Sequence, residues 1–546
     1  MSTTIAAGYI LSRIPTVTSF LERRRAFSMN RLSRVVLVAV TVAIGACATH
    51  TKAPEAEPPT QDRLPRIDPD YADVTIPPNI APLNFVVNEP GEAFEVAIRS
   101  THGEALDVSS ESAQIRIPAG AWRKLLAANH GQDLLLHVSV RQADGRWERF
   151  QPISQHVAQE KIDGYLVYRL LKPLYNKYVN IGIYQRHLES FDQKPVLENS
   201  NADHACLNCH TFVRNQPDPM VLQTRSEHGL TMLLARGQEV TTIDTRTAFN
   251  KSPAAYTSWH PGGRHIGFSV NKVSLFLHTD PTRETREVFD AGSDLAVYST
   301  EDNILTTTAA ISDPDRAETW PEWSPDGRHL YFSSAPILPI EQFEEVRYDL
   351  MRIPFDVDSG TWGDLDTLLT AGQTGLTVTQ PKVSPDGRWL VFTMADHGNF
   401  PIFSATADLY VMDLLKGGYR RLEINSDLAD SWHSWSSNGR WLVFSSKRRD
   451  GLFARPYFSY VDEEGRFHRP VLMPQEDPTF YDAFIKTYNV PVFITGPVKV
   501  SERNLARAIY DPDRPLSAQL DPRVASALQQ DAGDGPVEPY SSGTTR

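Results

Sequence analysis

The stretch Trp323-Ser324-Pro325-Asp326-Gly327-Arg328-His329-Leu330-Tyr331-Phe332-Ser333 decides the fold, because the chain writes it four times. It returns as Trp259-His260-Pro261-Gly262-Gly263-Arg264-His265-Ile266-Gly267-Phe268-Ser269, as Val383-Ser384-Pro385-Asp386-Gly387-Arg388-Trp389-Leu390-Val391-Phe392-Thr393, and as Trp435-Ser436-Ser437-Asn438-Gly439-Arg440-Trp441-Leu442-Val443-Phe444-Ser445. Each copy sets a Pro-Asp-Gly or Asn-Gly type turn before an alternating apolar run. Glycine tolerates the positive φ such a turn requires, so each copy predicts a β-hairpin. A further strand follows in three units, at Asp294-Leu295-Ala296-Val297-Tyr298, Asp349-Leu350-Met351-Arg352-Ile353 and Asp408-Leu409-Tyr410-Val411-Met412-Asp413. Self-similarity at this period is the mark of a repeat architecture.

These units resemble the WD40-like repeats of the TolB family, in both the S-P-D-G-R turn and the D-L-Y-V strand. The resemblance implies a C-terminal β-propeller over residues 228–516, with four antiparallel strands per blade around a central channel. Degenerate units near Gly229 to Thr245 and Tyr488 to Val500 bring the expected number to about six blades. The motif aromatics read as packing between blades, and His260, His265, His329, His397 and His433 are scattered singly.

Upstream, residues 79–199 alternate apolar and polar positions in short runs such as Phe94-Glu95-Val96-Ala97-Ile98 and Leu134 to Val140. Such runs predict strands with one buried face, and an immunoglobulin-like β-sandwich is the simplest architecture that uses them. Trp122, Tyr175, Tyr178 and Tyr184 read as packing residues. The 39 prolines and 31 glycines agree with a mostly β chain of short strands and many turns.

Between the two regions, in a segment over 200–227, stands His204-Ala205-Cys206-Leu207-Asn208-Cys209-His210. In CxxCH, two thiols three positions apart can each add to one vinyl group of a haem, and the adjacent imidazole then serves as proximal iron ligand. Cys206, Cys209 and His210 are therefore the expected attachment site of one covalent haem c. A zinc site would want further Cys or His ligands, and no second CxxC occurs in the chain. A thioredoxin-like redox pair would want a βαβ context, which this region lacks. The second axial position is open to Met220, carried by Pro217-Asp218-Pro219-Met220, with His228 and Met232 as competitors and Met232 read first as core. Methionine ligation would raise the potential over a second histidine, and a vacant face would point to ligand binding or peroxide chemistry.

Near the start, Arg31 and Arg34 precede an apolar run from Val35 to Ile44 and then Gly45-Ala46-Cys47, the layout of an export signal over residues 29–47. Ile44-Gly45-Ala46-Cys47 resembles the lipobox of bacterial lipoproteins, which implies acylation of Cys47 and, with Ala48 following, an outer-membrane destination. Residues 1–28 read as an extension from an upstream start. Residues 48–78 read as a flexible tether, and 517–546 as a disordered tail. The net charge of −13, spread along the chain, argues against nucleic acid as a partner.

The whole layout resembles bacterial envelope proteins described as TolB-like or cytochrome-like. It sets up three readings. The first is a periplasmic or envelope electron carrier, anchored in the membrane by lipid and served by a redox partner protein. The second is a peroxidase-like enzyme with an open distal site and a polar helper such as His228 or Arg225. The third is a protein-binding propeller whose haem is sensory or structural. No acid/base pair or nucleophile triad stands out, which favours the carrier over an enzyme.

Overall fold

The computed structural model describes residues 60–172, 180–226, 229–277, 286–510 and 515–531. Strands dominate, and the sheets divide between a propeller and a smaller N-terminal unit. The export signal, Cys47 and Tyr175, Tyr178 and His228 lie outside the described residues. No helix among the described residues is long and apolar enough to cross a membrane.

Each repeat builds one sheet, whose inner strand leads into the turn and whose second strand carries the motif phenylalanine. Counted along the chain, blade II starts with inner strand Cys206–Phe212, blade III with Ala255–Trp259, blade IV with Arg316–Trp323, blade V with Thr377–Val383 and blade VI with Asp430–Trp435. Blade I is assembled from both ends of the chain. Tyr165–Leu171, Gly182–His187 and Gln193–Glu198 supply three strands, and Thr487–Ile494 pairs antiparallel with Tyr165–Leu171 as the inner one. Each inner strand touches the next, and Thr487–Ile494 touches Cys206–Phe212, so six blades close into a ring.

The propeller therefore begins at Tyr165 rather than at 228. Residues read as the end of a sandwich are three strands of blade I, and residues 206–226 form a hairpin of blade II rather than a separate haem segment. Leu166-Val167-Tyr168-Arg169 stands where blade V has Leu390-Val391-Phe392-Thr393; a tyrosine and an arginine at the two most regular motif positions hid the repeat.

The turns behave as their chemistry dictates. In blade IV, Ser324 Oγ donates to Asp326 Oδ1 at 2.5 Å and accepts from the His329 N–H at 3.0 Å, while Gly327 takes φ +74°. Opposite the inner strands, Phe268, Phe332, Phe392 and Phe444 are fully buried between blades. Burying a side chain of that size contributes about 1.5–3 kcal/mol.

The N-terminal unit holds a six-stranded sheet and a three-stranded sheet, with helix Ala119–Ala128 packed by the buried Trp122, whose indole N–H donates to the Ile80 carbonyl at 3.1 Å. Val74–Ile76 pairs parallel with Ile153–Val157, a departure from the antiparallel sheets of an immunoglobulin-like sandwich. Part of the expected tether belongs here: Tyr71, Val74 and Ile76 are buried, and Arg63 pairs with Glu89 at 2.6 Å. The prolines of 60–78 masked an apolar spacing good enough to pack. The unit is fastened to blade VI by the Arg449–Asp68 ion pair at 2.8 Å and by the Tyr71 hydroxyl on the Leu472 carbonyl.

The expected tail is likewise structured in its first half. Leu516–Ser517 and Gln519–Leu520 add parallel edges to blades II and III, and Pro522–Asp531 is a helix. Main-chain pairing with exposed sheet edges needs no apolar pattern, so a polar segment can hold its place there.

Two glycines separate turn strain from packing. At Gly387, φ is +75° and an added Cβ would meet nothing within 4 Å; at Gly327, with φ +74°, it would fall 2.2 Å from His260 Nε2, which bonds the Gly327 carbonyl. Gly387→Ala is expected to cost about 1–2 kcal/mol from backbone strain alone. Gly327→Ala should cost clearly more, and equal denaturant midpoint shifts for the two would contradict the blade III–IV contact.

Glu318, on the blade IV inner strand, is 1% exposed; burial, reinforced by Asp294, raises its carboxyl to about 8. Its ordinary value is 4.5, so folding retains a proton that the unfolded chain releases, and stability falls as pH climbs from 4.5 to 8. Glu318→Gln should therefore gain on the parent as pH rises through that window, in melting curves taken at pH 5 and pH 8. A constant difference between the two proteins would refute the assignment.

Candidate haem-attachment site

All six inner strands carry the same irregularity. Register slips by one residue in the middle of each strand, and the residue at the slip is left-handed: Cys209 at φ +25°, Tyr256 at +46°, Trp320 at +57°, Gln380 at +55°, Trp432 at +51° and Val490 at +49°. A bulge of this kind re-aims the side chains beside it, and it recurs next to functional sites. A non-glycine residue in that region costs of order 1–3 kcal/mol, which the surrounding ring must supply. Side chains at these positions gather about the axis: Tyr256 and Trp320 lie 3.8 Å apart between ring centroids, and Trp320 and Trp432 5.1 Å apart. Beyond this aromatic plug, a cavity of about 460 Å³ runs along the channel, lined from every blade by residues that include Cys209, His210, Glu322 and Lys382. That volume is within the usual range for small-molecule sites.

The CxxCH motif thus lies on an inner strand, with Cys209 at the bulge and His210 just after it. A signal for this was present in the sequence. Cys209-His210-Thr211-Phe212 stands in register with Trp320-Pro321-Glu322-Trp323 and with Trp432-His433-Ser434-Trp435.

His210 and His433 consequently occupy equivalent places, and their difference is informative. His433 Nε2 pairs with the Val391 carbonyl at 3.0 Å, and burial lowers its pKa to about 3. His210 is fully buried, and among the described residues neither ring nitrogen completes a hydrogen bond, although main-chain groups of Val167 and Val490 lie close enough to act on the ring. Burial lowers its pKa to about 4, with main-chain groups of Val167 and Val490 acting slightly the other way, so the ring is neutral at physiological pH. A neutral imidazole is the form that ligates a metal.

Both thiols are free. Cys206 is buried, and its Sγ accepts from Asn208 Nδ2 at 3.2 Å. Burial raises both thiol pKa values, opposed first by the charge of Arg169. Arg169, from blade I, donates through Nη1 to the Leu207 carbonyl at 3.2 Å and to Asn208 Oδ1, inside the motif itself. Two free thiols beside a neutral, unpaired imidazole are a donor set that fits a covalent haem.

The remaining candidates fall elsewhere. Met220 opens strand Met220–Ser226 and pairs with Phe212, 1% exposed within the apolar cluster that includes Leu222 and Leu233. Met232 is buried between blades II and III, the core role expected of it. Arg225 is the ladder partner of Cys206, with an exposed side chain. Sequence reasoning missed Arg169, which no local motif marks.

No known protein family matches the chain, and no curated protein matches it either. Solved structures do resemble it. The Dos1 propeller is 10% identical, with 51% of this chain and 62% of that one aligned and a TM-score of 0.31. The GH74 enzyme of Niastella koreensis is 10% identical over 57% of this chain and 46% of its own, with a TM-score of 0.36. The β-propeller domain of Swd1 from Myceliophteria thermophila is 11% identical over 50% and 88%, with a TM-score of 0.27. These likenesses concern architecture alone. The chain is a β-propeller protein.

Proposed function

We propose that this propeller is a monohaem c-type cytochrome of the bacterial envelope, transferring single electrons to or from a partner protein. The observation that supports this most is His210, a fully buried neutral imidazole with no completed hydrogen bond among the described residues, adjoining two free thiols on the same strand. Cys206 and Cys209 would each add their S–H across one vinyl group, the sulfur bonding one carbon and the proton going to the other. His210 would be the proximal ligand. When bound, the haem supplies one-electron oxidation and reduction. The chain's own part is to hold the imidazole neutral and the thiols fixed on a strand clamped by the blades to either side, so that the ligand set is rigid.

The sequence of residues 29–47 supports an exported, lipid-anchored protein, with Cys47 as the acylated residue and, with Ala48 following, the outer membrane as destination. A TolB-like ancestry of the repeats rests on the S-P-D-G-R turns. A carrier is preferred to a peroxidase-like enzyme because Arg225, the described candidate helper, is on the ladder behind Cys206 rather than across the channel from His210.

Protein co-produced with c-type maturation machinery should give a pyridine haemochrome spectrum for one covalent haem and an intact mass raised by that amount. Cys206→Ala combined with Cys209→Ala should abolish both signals. Colourless protein at the mass of the bare chain, or pigment unaffected by the double substitution, would overturn the reading.

A further inference from the structure

The blade III hairpin outgrows its blade. Its strands His265–Leu277 and Arg286–Ser299 span 13 and 14 residues, whereas the second strands of blades IV, V and VI have 8, 7 and 6. The two strands pair with each other as far as Leu277 and Arg286. The inner strand Ala255–Trp259 lies against Ile266 to Ser269 alone, so beyond Ser269 that edge of the ribbon has no ladder partner among the described residues. Blades IV and V brace the extension. The Phe276 and Phe343 rings meet edge to face with centroids 5.1 Å apart, Glu287 Oε2 lies 3.3 Å from His397 Nε2, and the Arg286 guanidinium stands 4.3 Å from the Phe403 ring centroid.

The braced ribbon presents an apolar stripe. Val273, Leu275 and Leu277 are 41%, 40% and 57% exposed, and their alternate positions put them on one face. Unpaired N–H and C=O groups along a strand edge template pairing with another chain, and proteins blunt such edges with lysine, proline, bulges or inward charges. Lys272 and the bulge between Asn271 and Val273 stand just before the stripe, but none of these devices falls between Val273 and Leu277.

A second copy of the same strand matches this edge. When a two-fold axis passes through Leu275, the two strands run antiparallel, Leu275 faces its own counterpart and Val273 faces Leu277. Each residue of the stripe then meets an apolar residue on the same face, the unit of sheet stabilisation, and Ser274 meets Phe276 on the other face. Moving the axis by one residue in either direction leaves Leu277 or Val273 outside the match.

We propose that the blade III ribbon is a self-association edge, through which two copies of this chain join by antiparallel pairing of Val273 to Leu277 in the register centred on Leu275. The proposal does not depend on the haem reading. A contact this short falls in the class of small, transient interfaces, so the dimer forms and dissociates with concentration.

Sedimentation velocity on a concentration series of the full chain should show the weight-average mass climbing from one chain towards two. Leu275→Lys should hold the mass at one chain throughout, with an unchanged melting temperature, because the side chain is exposed in the single copy. Leu275→Cys should form a disulfide-linked dimer on mild oxidation, since facing residues of an antiparallel pair have Cα atoms about 4.5–5.5 Å apart, within disulfide reach. Ser274→Cys, which faces Phe276 in this register, should stay at the background that wild-type protein sets under the same oxidation. A wild-type mass of one chain at the highest soluble concentration would overturn the proposal and leave the edge to the strand of another protein. A dimer that persists in Leu275→Lys, or cross-linking through Ser274→Cys in place of Leu275→Cys, would overturn it as well.

Discussion

The ring depends on one pairing. Thr487–Ile494 lies against Tyr165–Leu171 with over 300 residues of chain between them, and that ladder joins the last inner strand to the first three strands of blade I. Without it, blade I would lack its inner strand and the channel would have no wall on that side. Radial closure of this type leaves each blade only short, protected edges. It also determines what surrounds the CxxCH strand, because blade I is its neighbour. Cys206–Phe212 packs against strands drawn from both ends of the sequence, and Arg169 reaches it only because the ring is shut.

Closure also explains how six left-handed residues persist on inner strands. An isolated hairpin would relax such a bulge by slipping register. Inside the ring, each strand is held by its own second strand and by both neighbouring inner strands, and the aromatic contacts of Tyr256, Trp320 and Trp432 fill the axis. The shared bulge gives the CxxCH motif its setting: Cys209 takes the residue that is aimed differently in every blade, and His210 the one that tucks between blades.

The repeats were readable because the S-P-D-G-R turn needs its residues for reasons of hydrogen bonding and backbone conformation, so the motif survives in four blades with little change. Blades I and II were legible only in part, as the degenerate units at Gly229 to Thr245 and Tyr488 to Val500, because their turns differ and their strands carry the CxxCH motif or the closure instead. Tyr168 and Arg169 replace the phenylalanine and the serine or threonine that mark the second strand in blades III to VI, and the cysteines and His210 replace the inner-strand pattern. The pair of thiols and the histidine were legible from spacing alone. Arg169 was not, because its meaning comes from a neighbour in space that lies 37 residues away from Cys206 in sequence, and only the pairing of blade I with blade II shows it. The polar segments at 60–78 and 515–531 were misleading for a related reason: proline and polarity describe how a chain behaves alone, whereas these two are held by sheets that the rest of the chain builds.

His433 serves as an internal control for His210. Same strand position, same kind of burial and the same neutral ring occur in both, and in blade VI the arrangement is complete, since the Val391 carbonyl accepts from or faces the ring at hydrogen-bond distance. In blade II the equivalent main-chain groups, those of Val167 and Val490, bear on the His210 ring without completing a hydrogen bond to either nitrogen. A hydrogen bond left uncompleted at a buried imidazole forfeits about 1–3 kcal/mol. One blade away, the buried guanidinium of Arg169 bonds to neutral groups, the Leu207 carbonyl and the Asn208 amide between the two thiols. Where blades III to VI set serine or threonine at this second-strand position, blade I thus sets a cation against the strand that carries the motif.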